Sequence, residues 1–143
     1  MIPLEIIADQ AEQISAWFAG KLPFKLELPN YQDGLGKEKR CHIQGARLVG
    51  YKRGLAAYVL YRMGPQYISL LVTSRAVAEA SGGEKIIANQ IAFHHDNIGG
   101  FKVITWPHRR LTYALVFDLG SPGEESCMVC HEGTRNLVKK PNV

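Results

Sequence analysis

The sequence predicts an α+β domain, in which an antiparallel sheet of five to seven strands carries an N-terminal and a C-terminal helix. Three observations predict it. Apolar and polar residues alternate through segments 42–73 and 101–117, which is the period of a half-buried strand. Short turns that contain glycine or proline divide these segments into two hairpin or meander units. Helix-start signals stand before the first segment and after the last.

The N-terminal helix is predicted from a capping pattern. Asp9 and Glu12 have the spacing of an N-cap carboxylate and the N3 acidic residue of a capping box. Apolar residues follow at helical spacing, and Gly20 then provides a C-terminal stop. We therefore expect an amphipathic helix from about residue 10 to residue 19.

Strands are predicted through most of the remaining chain. Alternating apolar residues between Pro23 and Pro29 predict a short strand, and the polar segment 30–40 predicts a loop. A three-strand meander, an extended segment and a second hairpin are then expected, at about 42–51, 55–61, 67–73, 86–93, 101–106 and 111–117. Residues 74–85 are expected to hold a short helix and a connection.

The C-terminal helix is predicted from the segment 121–124, which reads Ser-Pro-Gly-Glu. Serine at the N-cap, proline at N1 and glutamate at N3 form a helix-start signal, so we expect a helix over about 122–132. No internal linker interrupts the sequence. We expect a single domain over residues 1–143, with an ordered core at about 8–132 and a polar tail at 133–143.

Composition and charge restrict the function classes. The chain has 46% hydrophobic and 21% charged residues, which is ordinary for a globular protein, and a scattered net charge of +4. Because no basic stripe is present, a nucleic-acid partner is not expected. No apolar window reaches the roughly 18 to 20 residues of a membrane span. Residues 1–7 lack the features of a signal peptide, so we expect membrane attachment only through a segment absent from this chain.

Several segments, in order, resemble the extracytoplasmic domain of membrane-anchored bacterial anti-sigma factors. The matching text comprises QISAWFAG at 13–20, GARLVGY at 45–51, AAYVLYR at 56–62, ISLLV at 68–72, GFKVITW at 100–106 and LTYALVFD at 111–118. Each segment alone has the pattern of an ordinary core strand or core helix. The specificity of the resemblance lies in the order and spacing of the segments across residues 8–119.

This resemblance implies a sensory or interaction domain in the periplasm, joined in the full-length regulator to one membrane span and a cytoplasmic sigma-binding segment. It implies a protein partner in regulatory signalling, or self-association, and supplies no catalytic residues. We therefore expect a domain that is not an enzyme. The chain departs from the family at two places, Cys41-His42 and Cys127–His131.

The segment Cys127-Met-Val-Cys130-His131 has the pattern of c-type haem attachment. Two thiols at i and i+3 can bond the haem vinyl groups, and the adjacent histidine can become an axial ligand. This pattern makes Cys127, Cys130 and His131 candidate haem ligands. Candidates for a sixth ligand are His42, His94, His95 and His108.

Other chemistries fit the same cysteines. A tetrahedral zinc site can be drawn from Cys41, Cys127, Cys130 and His131, with His42 or His94 as a replacement for the strained neighbour His131. The Cys-x-x-Cys spacing also suits a redox pair, a structural disulfide or unused thiols that bind no cofactor. The sequence leaves haem c, zinc and no cofactor open.

His94-His95-Asp96 is the remaining group with acid–base potential. Consecutive strand residues face opposite sides of a sheet, so both histidines cannot serve one site without a bend. A polar strand end is the simpler interpretation. Five aromatic residues at apolar periodic positions are expected in the core, namely Trp17, Tyr58, Tyr61, Trp106 and Tyr113.

Overall fold

The computed structural model describes residues 3–28 and 41–118, and these residues form one antiparallel sheet with a single helix. The elements in chain order are β1 Ile6–Ile7, α1 Ala11–Phe18, β2 His42–Tyr51, β3 Gly54–Met63, β4 Gln66–Ser74, β5 Glu84–Ala88, β6 Ile91–Ile98, β7 Phe101–His108 and β8 Leu111–Asp118. Among these described residues the sheet therefore has eight strands.

The strands lie in the order β1-β2-β3-β4-β8-β7-β6-β5. The two halves, β1 to β4 and β5 to β8, are each built from neighbours in sequence, and they meet where β4 pairs with β8. Antiparallel pairing in two meander units is confirmed. The predicted α+β class with a sheet of five to seven strands is wrong, because the described chain is mainly β and its sheet has eight strands. The predicted C-terminal helix over 122–132 lies outside the described residues.

One face of the sheet, which we call the covered face, holds most of the core. Helix α1 contributes Ile14 and Phe18, and the segment that follows it contributes Leu22 and Leu26, all of them buried. From the strands, the covered face presents alternate residues, including Val59, Leu70, Val72, Ile104, Trp106, Tyr113 and Leu115. Helix α1 is too short to cover the sheet alone. The segment that follows it continues across the same face and completes the cover.

Helix α1 confirms the predicted N-terminal helix, but its cap differs from the prediction. The N-cap is Gln10 in an extended conformation, and no side chain caps the helix. The carbonyl of Gln10 accepts hydrogen bonds from the backbone N–H groups of Gln13 and Ile14. The helix begins one residue later than the Asp9 carboxylate requires, so the predicted capping box does not form.

The strand predicted between Pro23 and Pro29 is wrong within the described part of that segment. Its backbone is bound by side chains instead of by a neighbouring strand. The Ser15 hydroxyl donates to the carbonyl of Leu26 at 3.3 Å, and the Tyr113 hydroxyl donates to the carbonyl of Glu27 at 2.7 Å. The apolar alternation therefore reflects packing on the covered face and not strand pairing.

The helix expected within 74–85 is absent from the described chain, and the extended segment 86–93 is a hairpin. Residues 75–83, which we call the strap, cross from the end of β4 to the start of β5. Strands β5 and β6 are then joined by Asn89 and Gln90, both with positive φ. Positive φ at both central residues is typical of a type I′ turn. Asn-Gly predicts this turn from sequence much more strongly than Asn-Gln does.

In the turn between β2 and β3, Lys52 adopts a positive φ of 54°, and Gly54 does not. Gly54 is instead a point of close approach, because a Cβ there would overlap the Val77 side chain of the strap. The glycine thus allows the strap to lie on the sheet.

No helix within 3–28 or 41–118 has the length and apolar character to cross a membrane.

Candidate binding face on the open side of the sheet

The face opposite the helix, which we call the open face, carries a groove of about 510 Å³. The groove lies over the central strands, at the end of the sheet where β4 begins and β8 ends. Its floor and walls include Tyr58, Leu60, Tyr67, Ser69, Phe101 and Val116.

Strand alternation and register place these residues together. Leu60 pairs with Ser69 across β3 and β4, Ser69 pairs with Val116 across β4 and β8, and Val116 pairs with Val103 across β8 and β7. All four therefore point to the open face in one cross-strand row. Within the groove, the Tyr58 and Ser69 hydroxyls lie 3.1 Å apart and share a hydrogen bond.

The rim of the groove combines aromatic surface with charge. Tyr67 is 43% exposed and Phe101 is 48% exposed, which is high for aromatic side chains on the middle strands of a sheet. The Arg62 guanidinium lies 5.8 Å from the Tyr67 ring centroid, and its Nε donates to the carbonyl of Gly64 at 2.9 Å. Asp118 also lines the groove. The rim thus offers apolar contact flanked by a cation and an anion.

The strap closes the other half of the open face. Sheet side chains hold three of its carbonyls. The Thr112 hydroxyl donates to Ala78 at 2.6 Å, the Thr105 hydroxyl donates to Ser81 at 3.4 Å, and the His94 Nδ1 lies 3.2 Å from the Gly82 carbonyl. A smaller cavity of about 140 Å³ remains beside Ala78 and Thr112. The larger groove therefore lies on the half of the open face that the strap does not cross.

The two adjacent histidines point to opposite faces, as the sequence predicts. His94 lies on the open face beside the strap, whereas His95 is buried on the covered face. Asp96 returns to the open face and caps the N–H of Asn97 through its own carboxylate at 2.9 Å. The structure therefore does not bring His94 and His95 into one site.

Cys41 and His42 also have contrasting environments. Cys41 is buried, and burial raises the pKa of its thiol to about 12, whereas His42 is exposed at the start of β2. Such a thiol is neutral at ordinary pH, while zinc binds the thiolate. His94 is the alternative to His42 as a zinc ligand beside Cys41. It lies on β6, five strands from β2, where the chain leaves Cys41, and this is roughly 24 Å across the sheet at the usual strand spacing. These environments favour a packing role for Cys41.

An aromatic cluster fills the covered face near the β7–β8 turn. The Trp106 and Tyr113 rings stack at 5.4 Å, and the Phe93 ring lies 5.6 Å from Trp106. Burial raises the pKa of Tyr113, with a smaller contribution from Glu27. Trp106 Nε1 and His108 Nε2 are buried with no hydrogen-bond partner in the described structure.

The environment of His108 disfavours its charged form. Burial lowers the pKa of the imidazole, and the neighbouring Arg109 lowers it further, against an opposing effect of Glu27. Arg109 itself pairs with the Glu27 carboxylate at 3.0 Å. His108 is therefore a half-buried histidine whose neutral form is favoured by its surroundings.

Four of the five aromatic residues expected in the core are buried, and Trp17 is partly buried against it. The haem candidates Cys127, Cys130 and His131 lie outside the described residues, so that motif stays a prediction. The part of the chain that the structure describes contains no cluster of three or more His, Cys, Asp or Glu side chains able to hold a metal ion.

Sequence reasoning missed the groove. The groove residues have the apolar alternation of ordinary strands. That Phe101 and Tyr67 lie near one groove follows only from the register of β7, β8 and β4. Comparison of the chain with protein-family models, with curated proteins and with solved structures gives no match.

Proposed function

We propose that this chain is a non-catalytic sensory or interaction domain of the anti-sigma-factor type, and that its groove binds a segment of a regulatory protein partner. In this proposal the domain works outside the cytoplasm and is anchored to the membrane in the full-length protein. The observation that carries the proposal is the open half of a sheet face with exposed aromatic residues above an apolar floor.

The chemistry of the groove suits a protein segment. Tyr and Phe side chains are enriched at protein interfaces, and Tyr is among the residue types that carry most of the binding energy there. The floor offers Leu60 and Val116 to apolar side chains, and the linked hydroxyls of Tyr58 and Ser69 can exchange hydrogen bonds with a backbone. Arg62 at the rim favours a partner segment that carries a carboxylate.

The proposal also states that the domain is not an enzyme. The acid–base candidates of the described chain are separated, since His94 binds the strap and His95 lies under the covered face. His108 lies at the far end of the covered face from the groove. This distribution supports a binding domain, and steady turnover abolished by His94→Ala would contradict it.

Site-specific photo-crosslinking in the producing organism tests the binding proposal. A benzophenone amino acid is placed at Phe101 or at Tyr67, and the control is Leu55, which is 37% exposed and lies on the opposite face. We expect one defined protein adduct from both groove positions and none from the control. The same adduct from Leu55, or no adduct from Phe101 and Tyr67, would contradict the proposal.

We propose a second function on the motif Cys127-Met-Val-Cys130-His131, that of an envelope c-type haem or metal-binding redox protein. Asp118, the last described residue before that motif, lies at the groove end of the sheet. His42 is the exposed member of the four sixth-ligand candidates, and its neighbour Arg62 is in turn the neighbour of Tyr67 at the same end.

Covalent colour tests this second function. Protein made with a haem-maturation system is boiled in denaturant, and colour that stays on the chain shows thioether attachment. Cys127→Ser with Cys130→Ser should release the colour, and His131→Ala should shift the spectrum while keeping it attached. Colourless, metal-free protein that tolerates both serine changes would exclude haem and zinc together.

A further inference from the structure

The two edges of the sheet are protected very differently. At the β1 edge, the Glu5 carboxylate accepts the N–H of Leu48 at 2.8 Å, and the Arg47 guanidinium donates to the carbonyl of Pro3 at 3.2 Å. Side chains and the N-terminal segment therefore cover the outer side of β2. At the β5 edge, no hydrogen bond from the described residues reaches the outer backbone of Lys85 or Ile87.

Hairpin geometry identifies which β5 groups are open. In a two-residue type I′ hairpin the closing pair, here Ala88 and Ile91, exchanges both hydrogen bonds. Pairs then alternate, so the N–H and C=O groups of Ile86 point to β6. Those of Lys85 and Ile87 point outward. The open edge thus presents two residues with the spacing of an antiparallel ladder.

Two side chains of this edge, Ile86 and Ile87, are large, apolar and exposed, next to the charged side chains of Glu84 and Lys85. Ile87 is 68% exposed on the open face, and Ile86 is 39% exposed on the covered face. Ile86 pairs with buried Phe93, whose ring contacts Trp106. The core row of the covered face therefore ends in solvent at Ile86. An edge strand with unpaired backbone and apolar side chains is a template for another strand.

We propose that β5 is a self-association edge, on which a second copy of this chain adds its own β5 in antiparallel orientation to continue the sheet across a two-fold axis. This inference is independent of the proposed groove function. The register follows from the outward groups: Lys85 of one copy pairs with Ile87 of the other, so Ile86 meets its own copy on the axis. That register buries both Ile86 side chains and places no like charges opposite each other.

The choice of a second copy over a foreign strand rests on this self-complementarity. In a two-fold antiparallel contact, the donors and acceptors of a strand must match those of its own copy. Here Lys85 of each copy exchanges the same pair of backbone hydrogen bonds with Ile87 of the other. On the open face each Lys85 stem can lie along an Ile87 side chain of the partner. A foreign peptide that binds the edge while the chain alone stays monomeric would refute self-association.

Charge substitutions at Ile87 test the register. Ile87→Lys places a lysine opposite Lys85 of the other copy, whereas Ile87→Glu places a carboxylate there. We expect Ile87→Lys to weaken dimerisation by about tenfold or more, because the repulsion acts twice across the axis, and Ile87→Glu to retain the dimer. Ile98→Lys, an equally charged change at a 57% exposed isoleucine of β6, is the matched control and should leave association unchanged.

A substitution that changes only the backbone distinguishes strand pairing from nonspecific hydrophobic association. Ile87→Pro keeps an apolar side chain but removes an outward N–H that no described strand uses, so the fold should survive while association is lost. Light scattering and sedimentation over a concentration series measure the dimer, and circular dichroism confirms folding of each variant. A wild-type chain that stays monomeric at millimolar concentration, or equal loss with Ile87→Lys and Ile87→Glu, would overturn the proposal.

Discussion

The buried thiol of Cys41 predicts a specific loss of stability in alkali. Burial raises the pKa of the folded thiol from 9.0 to about 12, so the folded chain holds the neutral form while the unfolded chain ionises near pH 9. The stabilising contribution is therefore complete below pH 9 and is lost as pH rises toward 12. At pH 10 the loss is about 1.4 kcal/mol, since one pH unit separates this pH from the unfolded pKa.

The assay compares Cys41 with Cys41→Ala in a Cys127→Ser, Cys130→Ser background, where Cys41 is the remaining thiol of the three. Urea unfolding at pH 7.5 and pH 10 gives the free energy of unfolding of each variant. We expect the advantage of cysteine over alanine to shrink by about 1.4 kcal/mol between the two pH values. Comparison with alanine cancels the parallel effects of Tyr61 and Tyr113, whose pKa values burial also raises. An unchanged difference, or rapid thiol labelling of the native protein, would refute the reasoning.

Three further predictions concern the covered face. Tyr113→Phe removes the 2.7 Å hydrogen bond to the Glu27 carbonyl and should cost about 1 kcal/mol in urea unfolding, whereas a cost near zero would show that this bond does not hold the segment. Ile14→Ala empties a fully buried site under α1 and should cost about 2 to 5 kcal/mol, measured in the same way. The pKa of His108 is lowered in the fold, so the unfolded chain binds a proton first as pH falls below 6.5, and stability decreases there. His108→Gln should flatten the fall in melting temperature between pH 7 and pH 5, and an equally steep fall would contradict this origin.

The sequence predicts the central strands well because their periodicity and packing agree. The predicted segments 42–51 and 67–73 nearly coincide with β2 and β4, since each alternates between a covered and an open face. Within β3 and β4, Leu60 and Leu70 are buried, and they lie on opposite faces of the sheet. Local pattern and tertiary environment carry the same signal there.

Failures occur where tertiary contacts override a local pattern. The alternation of Phe24, Leu26 and Leu28 matches a strand, yet the segment packs on the covered face and its carbonyls bind Ser15 and Tyr113. Ser74, the last residue of β4, has the residue type of a helix N-cap, but the strap that follows it is held by threonine and histidine side chains from β8, β7 and β6. No single-sequence pattern contains these partners.

The candidate site could not be predicted because it depends on register. Phe101 and Tyr67 are separated along the chain by two hairpins and meet near one groove only because β8 inserts beside β4. The sequence motif at Cys127, Cys130 and His131 was evident from its spacing, and it lies outside the described residues. The predicted α+β class is wrong because the described residues hold eight strands and one short helix, and because the helix expected within 74–85 rests on a local signal alone.

Binding to the groove is the central claim, and calorimetric titration tests it most directly. The crosslinked partner segment is purified and titrated into the wild-type chain, into Phe101→Ala and into the control Leu55→Ala. Exposed aromatic anchors at protein interfaces contribute 2 kcal/mol or more, so Phe101→Ala should weaken binding by about 30-fold while Leu55→Ala leaves it unchanged. Equal affinities for all three proteins would contradict the claim.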